Sequence, residues 1–229
     1  MAGLGSRFAD KGYDLPKPLI KFFGKPMIQH VVESLAIDGQ YIFLVQKAHR
    51  VKYHLDDVLD EIAPGCSVIE VDGLTEGAAS TSLLAKDLIN SQTPLVIANS
   101  DQIVNWDSLH FLKSLTAFDG TTAVFEATDP KWSYVISDGG VSVEGVVEKQ
   151  VVSNIANVGI YGWASGAEYV RAAETMIAKD IRTNGEFYIA PAYNEAIANG
   201  AHVVTFQVED MYGVGTPEDL DAYIRSTVD

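Results

Sequence analysis

Cysteine is almost absent from this chain: Cys66 is the only one. That excludes an internal disulfide framework and fits a reducing, cytoplasmic setting. Cations are scarce too. Sixteen lysines and arginines face 31 acids, a formal charge of −15, so nucleic-acid phosphates would meet net repulsion and no nucleic-acid partner is expected. The acidic surplus serves solubility. No apolar run is long enough to span a membrane, and Met1-Ala-Gly-Leu-Gly5 lacks the charged and apolar regions of a signal peptide. Repeats and low-complexity tracts are missing. The five histidines are scattered without metal-ligand spacing, and neither a Gly-x-Ser-x-Gly elbow nor a Cys/His arrangement is present for covalent catalysis.

What is present is ordinary globular composition, 47% hydrophobic and 21% charged over 229 residues, enough for one domain with a sizeable core. Short β-branched runs alternate with helical patterns, which predicts an α/β fold with a Rossmann-like, mostly parallel mixed sheet. Strands are expected at 41–46, 66–71 and 94–98, with helices near 26–37, 49–62 and 77–91. Asp107-Ser108 and Thr216-Pro217-Glu218-Asp219 carry helix-start signals. Beyond residue 120 the strands crowd together, at 121–128, 134–137, 141–147 and 155–163, followed by helices near 165–180 and 187–199. This is a β-rich lobe within one domain spanning 1–229.

The densest chemistry lies at the front. Ala2-Gly-Leu-Gly-Ser-Arg-Phe8 is followed by Leu15-Pro-Lys-Pro-Leu-Ile20 and Gly24-Lys-Pro26. Glycines let backbone N–H groups approach a phosphate, Ser6 adds a hydroxyl, Arg7 can grip phosphate oxygens bidentately, and Lys17 supplies a mobile charge. Residues 1–25 hold five bases against two acids, the reverse of the whole chain, and a polyanionic ligand is the simplest reason. A dinucleotide fingerprint fails because Phe8 stands where Gly or Ala is required, and a P-loop fails because Pro26 follows Gly-Lys. A loop of this kind normally follows a strand. None precedes Met1, so the expectation is a first strand missing from this chain.

These blocks resemble the signature of the sugar-phosphate nucleotidyltransferase superfamily. The likeness continues through Thr75-Glu-Gly-Ala78, Asn99-Ser-Asp101, Val147-Glu-Lys149 and Gly215-Thr-Pro217. Within that superfamily the Asn-Ser-Asp-Gln and Gly-Thr-Pro-Glu-Asp-Leu blocks are similar to small capsule-cluster cytidylyltransferases, including the CTP:phosphoglutamine type. The resemblance implies transfer of a nucleoside monophosphate from an NTP, CTP favoured, to a small phosphorylated acceptor. Pyrophosphate leaves and Mg2+ assists. A nucleotide-binding half would span about 1–120 and an acceptor-binding half about 121–229.

The resemblance also implies roles. Arg7, Lys17 and Lys149 would be catalytic. Ala2, Gly3, Leu4, Gly5, Ser6, Glu76, Gly77, Asn99 and Ser100 would hold the nucleotide, and Glu148, Lys149, Asn154 and Glu186 the acceptor. Asp101 follows the strand 94–98, at the carboxyl end of what reads as a parallel strand, where a carboxylate can hold Mg2+. Where the superfamily places a second metal aspartate this chain has Gly213, so Glu209 or Asp210 is left to reach the metal. Glu76 could accept from a base's amino group, which favours CTP or GTP, or could stabilise the helix that follows. A UDP-, dTDP- or GDP-sugar pyrophosphorylase acting on a sugar 1-phosphate is the alternative within the family. A degenerate nucleotide-binding regulatory module is the alternative outside it. A glycosyltransferase would want Asp-x-Asp after a strand, which is not found. Homo-oligomers occur in the family, and the sequence does not decide their presence here.

Overall fold

The computed structural model describes residues 1–3 and 5–228. Leu4, one of the expected nucleotide contacts, lies outside the described residues. The chain forms two compact units, one of Met1–Leu74, Asn99–Trp106 and Glu209–Asp229, the other of Thr75–Ala98 and Asp107–Val208.

In the first unit the strands Ile42–Gln46 and Ser67–Val71 pair in parallel, from Ile42 opposite Ser67 to Gln46 opposite Val71. A parallel pair needs a crossover, and the helices Lys47–Lys52 and Leu55–Ile62 supply it. Sequence periodicity predicted one helix there; the chain breaks it at His54, which adopts a left-handed φ of 48°. Leu55 and Leu59, one helical turn apart, face a core of Leu19, Ile28, Phe43, Val45 and Ala63. A second core holds Phe8, Ile20, Phe22, Met27, Ile103, Val214 and Leu220. Beside it Gln102–Asn105 pairs antiparallel with Asp210–Gly213. The helix Pro217–Val228 begins as its sequence predicts, with Pro217 in the first turn and Thr216 Oγ1 accepting from the Asp219 N–H at 3.1 Å.

The second unit carries a six-stranded sheet. Val203–Gln207, Gly120–Glu126, Ile155–Trp163, Ser133–Ile136 and Gly145–Glu148 follow one another across it, and Leu95–Ala98 also pairs with Ile155–Trp163. Only Val203–Gln207 against Gly120–Glu126 is parallel; the other pairings of this sheet are antiparallel. The expectation of a mostly parallel sheet is therefore corrected to a mixed one. The physical reason is connection length: Ser133–Ile136 and Gly145–Glu148 are joined by a short turn, which permits only antiparallel pairing. The strand before Asp101 is also antiparallel to its neighbour, not parallel as expected.

The helix expected over 77–91 is three short pieces, Ala78–Ser82, Leu83–Ala85 and Lys86–Ile89. That expected over 187–199 begins only at Ala192. Trp163 stacks on Tyr193 at 4.5 Å, and the Tyr193 hydroxyl donates to the carbonyls of Thr121 and Gly162. This fastens the helix Ala192–Ala198 to the sheet. Trp163 thus serves the core.

Candidate active site

The front segment is anchored from below. Phe8 is 1% exposed, so the residue that breaks a dinucleotide fingerprint is a core plug. It holds the single helical turn Ser6–Ala9 in place. Gly5 enters that turn at φ 63°, beside Lys17. Ala2 is fixed through its carbonyl, which accepts from Gln46 Nε2 at 2.5 Å, and the same amide donates to the Gly73 carbonyl at 2.9 Å. Gln46, at the end of its strand, is a residue the sequence did not single out: one polar side chain splints the front loop and the 73 loop together. Arg7 and Ser6 are exposed, and Arg7 has no ion-pair partner among the described residues.

Lys17 and Asp101 meet. Lys17 Nζ lies 2.6 Å from Asp101 Oδ2, and both side chains are mostly buried. The Asp101 carbonyl accepts from the Val214 N–H at 2.9 Å. Gly215 lies against the carboxylate so closely that a Cβ there would sit 2.7 Å from Oδ2. The glycine of Gly215-Thr-Pro217 is required by this approach of backbone to acid. Asn99 and Ser100, half-buried, lead into Asp101.

The second carboxylate does not arrive. Gly213 pairs with Gln102, next to Asp101, whereas Asp210 pairs with Asn105 at the opposite end of the same ladder. Glu209 and Asp210 both accept from Asn105 Nδ2, at 2.9 and 3.3 Å. Three residue steps of extended strand take the chain from Asp210 to Gly213, about 10 Å, so neither acid is brought to Asp101. Among the described residues no group of three or more His, Cys, Asp or Glu could hold a metal. The donor set suits Mg2+ that arrives already carrying phosphate oxygens and water, with Asp101 as its protein carboxylate. It does not suit an all-protein cage.

In the second unit, Glu148 ends the strand Gly145–Glu148 and Lys149 follows in a left-handed conformation, φ 55°. Burial pushes the Glu148 carboxyl up to about 7, against the opposing pull of Lys149. Lys149 Nζ contacts the Tyr188 hydroxyl and lies 4.5 Å from that ring's centroid. Burial pushes the Tyr188 hydroxyl's pKa up against the pull of Lys149, and the nearby Glu186 carboxylate adds to the rise. The structure thus brings together Glu148, Lys149, Tyr188 and Glu186. Asn154 is exposed and contributes a backbone carbonyl to Ala127.

Two residues here went unnoticed in the sequence. Tyr188 is one. Asn194 is the other: its amide accepts from the Val146 N–H and donates to the Val146 carbonyl, both at 2.8 Å, clamping the strand that delivers Glu148.

Glu76 and Gly77 belong to this unit as well. Glu76 is exposed, and its Oε1 accepts from Arg182 at 3.1 Å. Gly77 adopts φ 131°, and a Cβ would lie 2.4 Å from the Phe187 carbonyl oxygen.

A family model described as Nucleotidyl transferase matches residues 1–227, and the chain belongs to that family. It is 30% identical over 198 residues to the mannose-1-phosphate guanylyltransferase catalytic subunit beta of Drosophila pseudoobscura pseudoobscura, covering 79% of this chain and 51% of that protein. It is 29% identical over 233 residues to the mannose-1-phosphate guanyltransferase of Schizosaccharomyces pombe, covering 96% and 60%. The chain spans about half the length of the curated relatives it matches. In fold it resembles a nucleoside-diphosphate-sugar pyrophosphorylase from Vibrio cholerae, with a TM-score of 0.88, 24% identity and 98% of each chain covered. It also resembles an inositol-1-phosphate CTP transferase from T. maritima, with a TM-score of 0.71, 18% identity, and 98% and 91% covered.

Proposed function

We propose that residues 1–229 act as one cytoplasmic nucleotidyltransferase domain. It transfers a nucleoside monophosphate from an NTP to a small phosphorylated acceptor and releases pyrophosphate. The observation that carries this reading is the front end: a glycine loop, an exposed Arg7 and a Lys17–Asp101 pair in one unit of a chain that belongs to this family.

The acceptor's phosphate oxygen would attack the α-phosphorus in line. A phosphate monoester loses its second proton near pH 6, at about the cellular range, so no general base is needed. Alignment and charge neutralisation remain. Arg7 and the backbone of Ala2, Gly3, Gly5 and Ser6 hold the β- and γ-phosphates, with Leu4 assigned to the same loop by sequence. Lys17 neutralises charge at the α-phosphate, exchanging Asp101 for it. Mg2+ bound through Asp101 would supply further neutralisation of the triphosphate. Lys149 holds the acceptor phosphate and Glu148 a neighbouring hydroxyl, with Glu186 and Asn154 completing the acceptor contacts. Asn99 and Ser100 complete the nucleotide contacts.

CTP is the favoured donor by the resemblance to cytidylyltransferases; Glu76 spends one carboxylate oxygen on Arg182 and leaves Oε2 for a base amino group, which cytosine and guanine carry and uracil lacks. A sugar 1-phosphate acceptor with another NTP is the second reading, favoured by the mannose-1-phosphate guanylyltransferases among the relatives. Pyrophosphate release with Mg2+, crossing ATP, CTP, GTP and UTP against sugar 1-phosphates, phosphocholine and phosphorylated amides, tests both. One strongly active pair is the expected result. Silence across the panel with no NTP binding would overturn the reading in favour of a regulatory module.

A further inference from the structure

The segment 180–188 is built as a stiff tongue. Thr183 and Glu186 exchange both backbone hydrogen bonds, each 3.0 Å, around Asn184 and Gly185, whose φ values are 49° and 80°. Two positive φ angles at Asn-Gly are the mark of a tight type I′ hairpin turn. Arg182 fills the inside of this turn. Its Nε donates to Asp180 Oδ1 at 2.5 Å, its Nη1 to the Gly185 carbonyl at 3.0 Å, and its Nη2 to Glu76 Oε1 at 3.1 Å. Its guanidinium lies 3.9 Å from the centroid of the Phe187 ring. One planar cation therefore engages the base of the tongue, its tip, a neighbouring loop and an aromatic face, an arrangement a lysine could not reproduce.

The tongue touches both ends of the unit's chemistry. On one side Phe187 donates its N–H to the Glu76 carbonyl at 2.8 Å and accepts from the Ala79 N–H at 3.0 Å. Gly77 is pressed between them with no room for a Cβ. On the other side the next residue, Tyr188, holds the Lys149 ammonium by its hydroxyl and its ring face. Phe187 and Tyr188 are adjacent, so the position of the 76–79 loop and that of the Lys149 ammonium are fixed through one peptide.

We propose that Arg182 is a positioning residue for both: it sets the hairpin that places the Glu76–Gly77 loop and, through Tyr188, the Lys149 ammonium. The inference rests on the roles given above to Glu76 and Lys149, but its mechanical content can be read without any ligand. Arg182 touches neither Lys149 nor Tyr188 in the contacts described, so its removal reaches Lys149 only through the tongue.

The test is competitive acetylation of the whole chain with sulfo-NHS-acetate, quantified residue by residue by mass spectrometry. Lys149 is compared with Lys113 and Lys179 as internal controls. Tyr188→Phe should raise the Lys149 rate about threefold or more by removing the hydroxyl partner. Arg182→Ala and Arg182→Gln should each raise it to a similar extent, with Lys113 and Lys179 unchanged. The double variant Arg182→Gln with Tyr188→Phe should be no faster than either single change, because both act on one contact. Arg182→Lys, keeping charge without the fork, should fall between wild type and Arg182→Gln.

A Lys149 rate at the wild-type value in both Arg182→Ala and Arg182→Gln, with Tyr188→Phe accelerated, would overturn the proposal. So would equal acceleration at Lys113 and Lys179, which marks general loosening. Pyrophosphate release plays no part in the readout. Failure here with an active NTP–acceptor pair would sink the tongue alone, and success with an inactive panel and no NTP binding would sink the nucleotidyltransferase reading alone.

Discussion

The candidate site residues of the two units hold their charges in opposite ways. In the first, Arg7 stands exposed and unpaired, and Lys17 is matched to one acid, Asp101, in a position where phosphate could replace it. In the second, charges are already tied down: Lys149 to Tyr188, Glu76 to Arg182, Arg182 to Asp180, and Glu148 held near neutrality by burial. The first leaves a guanidinium open to solvent, where a ligand can reach it. The second is pre-organised by its own contacts. Binding a flexible, highly charged triphosphate rewards the former, while discriminating among small acceptors rewards the latter.

The contrast can be broken most directly at Arg7. Arg7→Ala should cut kcat/KM by about 10²–10³, as loss of one transition-state contact does, while leaving the thermal melt unchanged because the side chain is exposed. Gly77→Ala should lower stability instead, since its Cβ would enter the Phe187 backbone. A loss of roughly 3 kcal/mol in stability is expected by urea titration.

Glu148 sharpens the comparison through pH. Its carboxyl is raised from 4.5 to about 7 in the folded chain. The neutral form is the one the fold favours, so its contribution is complete below about pH 4.5 and is lost as pH rises through 7. Glu148→Gln should therefore gain up to roughly 2–3 kcal/mol over the wild type on going from pH 4 to pH 8. An equal difference at both pH values, by urea titration, would contradict the burial account. The smallest effect concerns Gly213, which sits in a strand beside Gln102. Gly213→Asp should tighten Mn2+ binding to the ligand-free chain by about tenfold through added ligand charge, measured by electron paramagnetic resonance.

The sequence made the first unit's chemistry legible because its residues are contiguous. Glycine, arginine and lysine in one short stretch advertise a phosphate loop, and Pro217 after Thr216 marks a helix start. It made less of the second unit legible. Tyr188 lies 39 residues from Lys149 and Arg182 lies 106 from Glu76, and neither pairing leaves a local pattern. The sheet was misjudged as mostly parallel because short apolar runs look alike in either direction. Connection length decides, and the strands between residues 120 and 163 are joined without an intervening helix. The second metal acid was sought at Glu209 or Asp210, but the register of Asp210 against Asn105 carries both away from Asp101. Register is a property of the partner strand and is invisible in one segment alone.

Calorimetric titration of the four Mg-NTPs into the wild type, Arg7→Ala and Lys149→Ala, without acceptor, tests whether the first unit takes the triphosphate by its own residues. At least one NTP should bind, Arg7→Ala should weaken it by about tenfold or more, in line with loss of a charge-assisted contact, and Lys149→Ala should leave it unchanged. Equal binding by Arg7→Ala, or a loss in Lys149→Ala as large as that in Arg7→Ala, would contradict that reading.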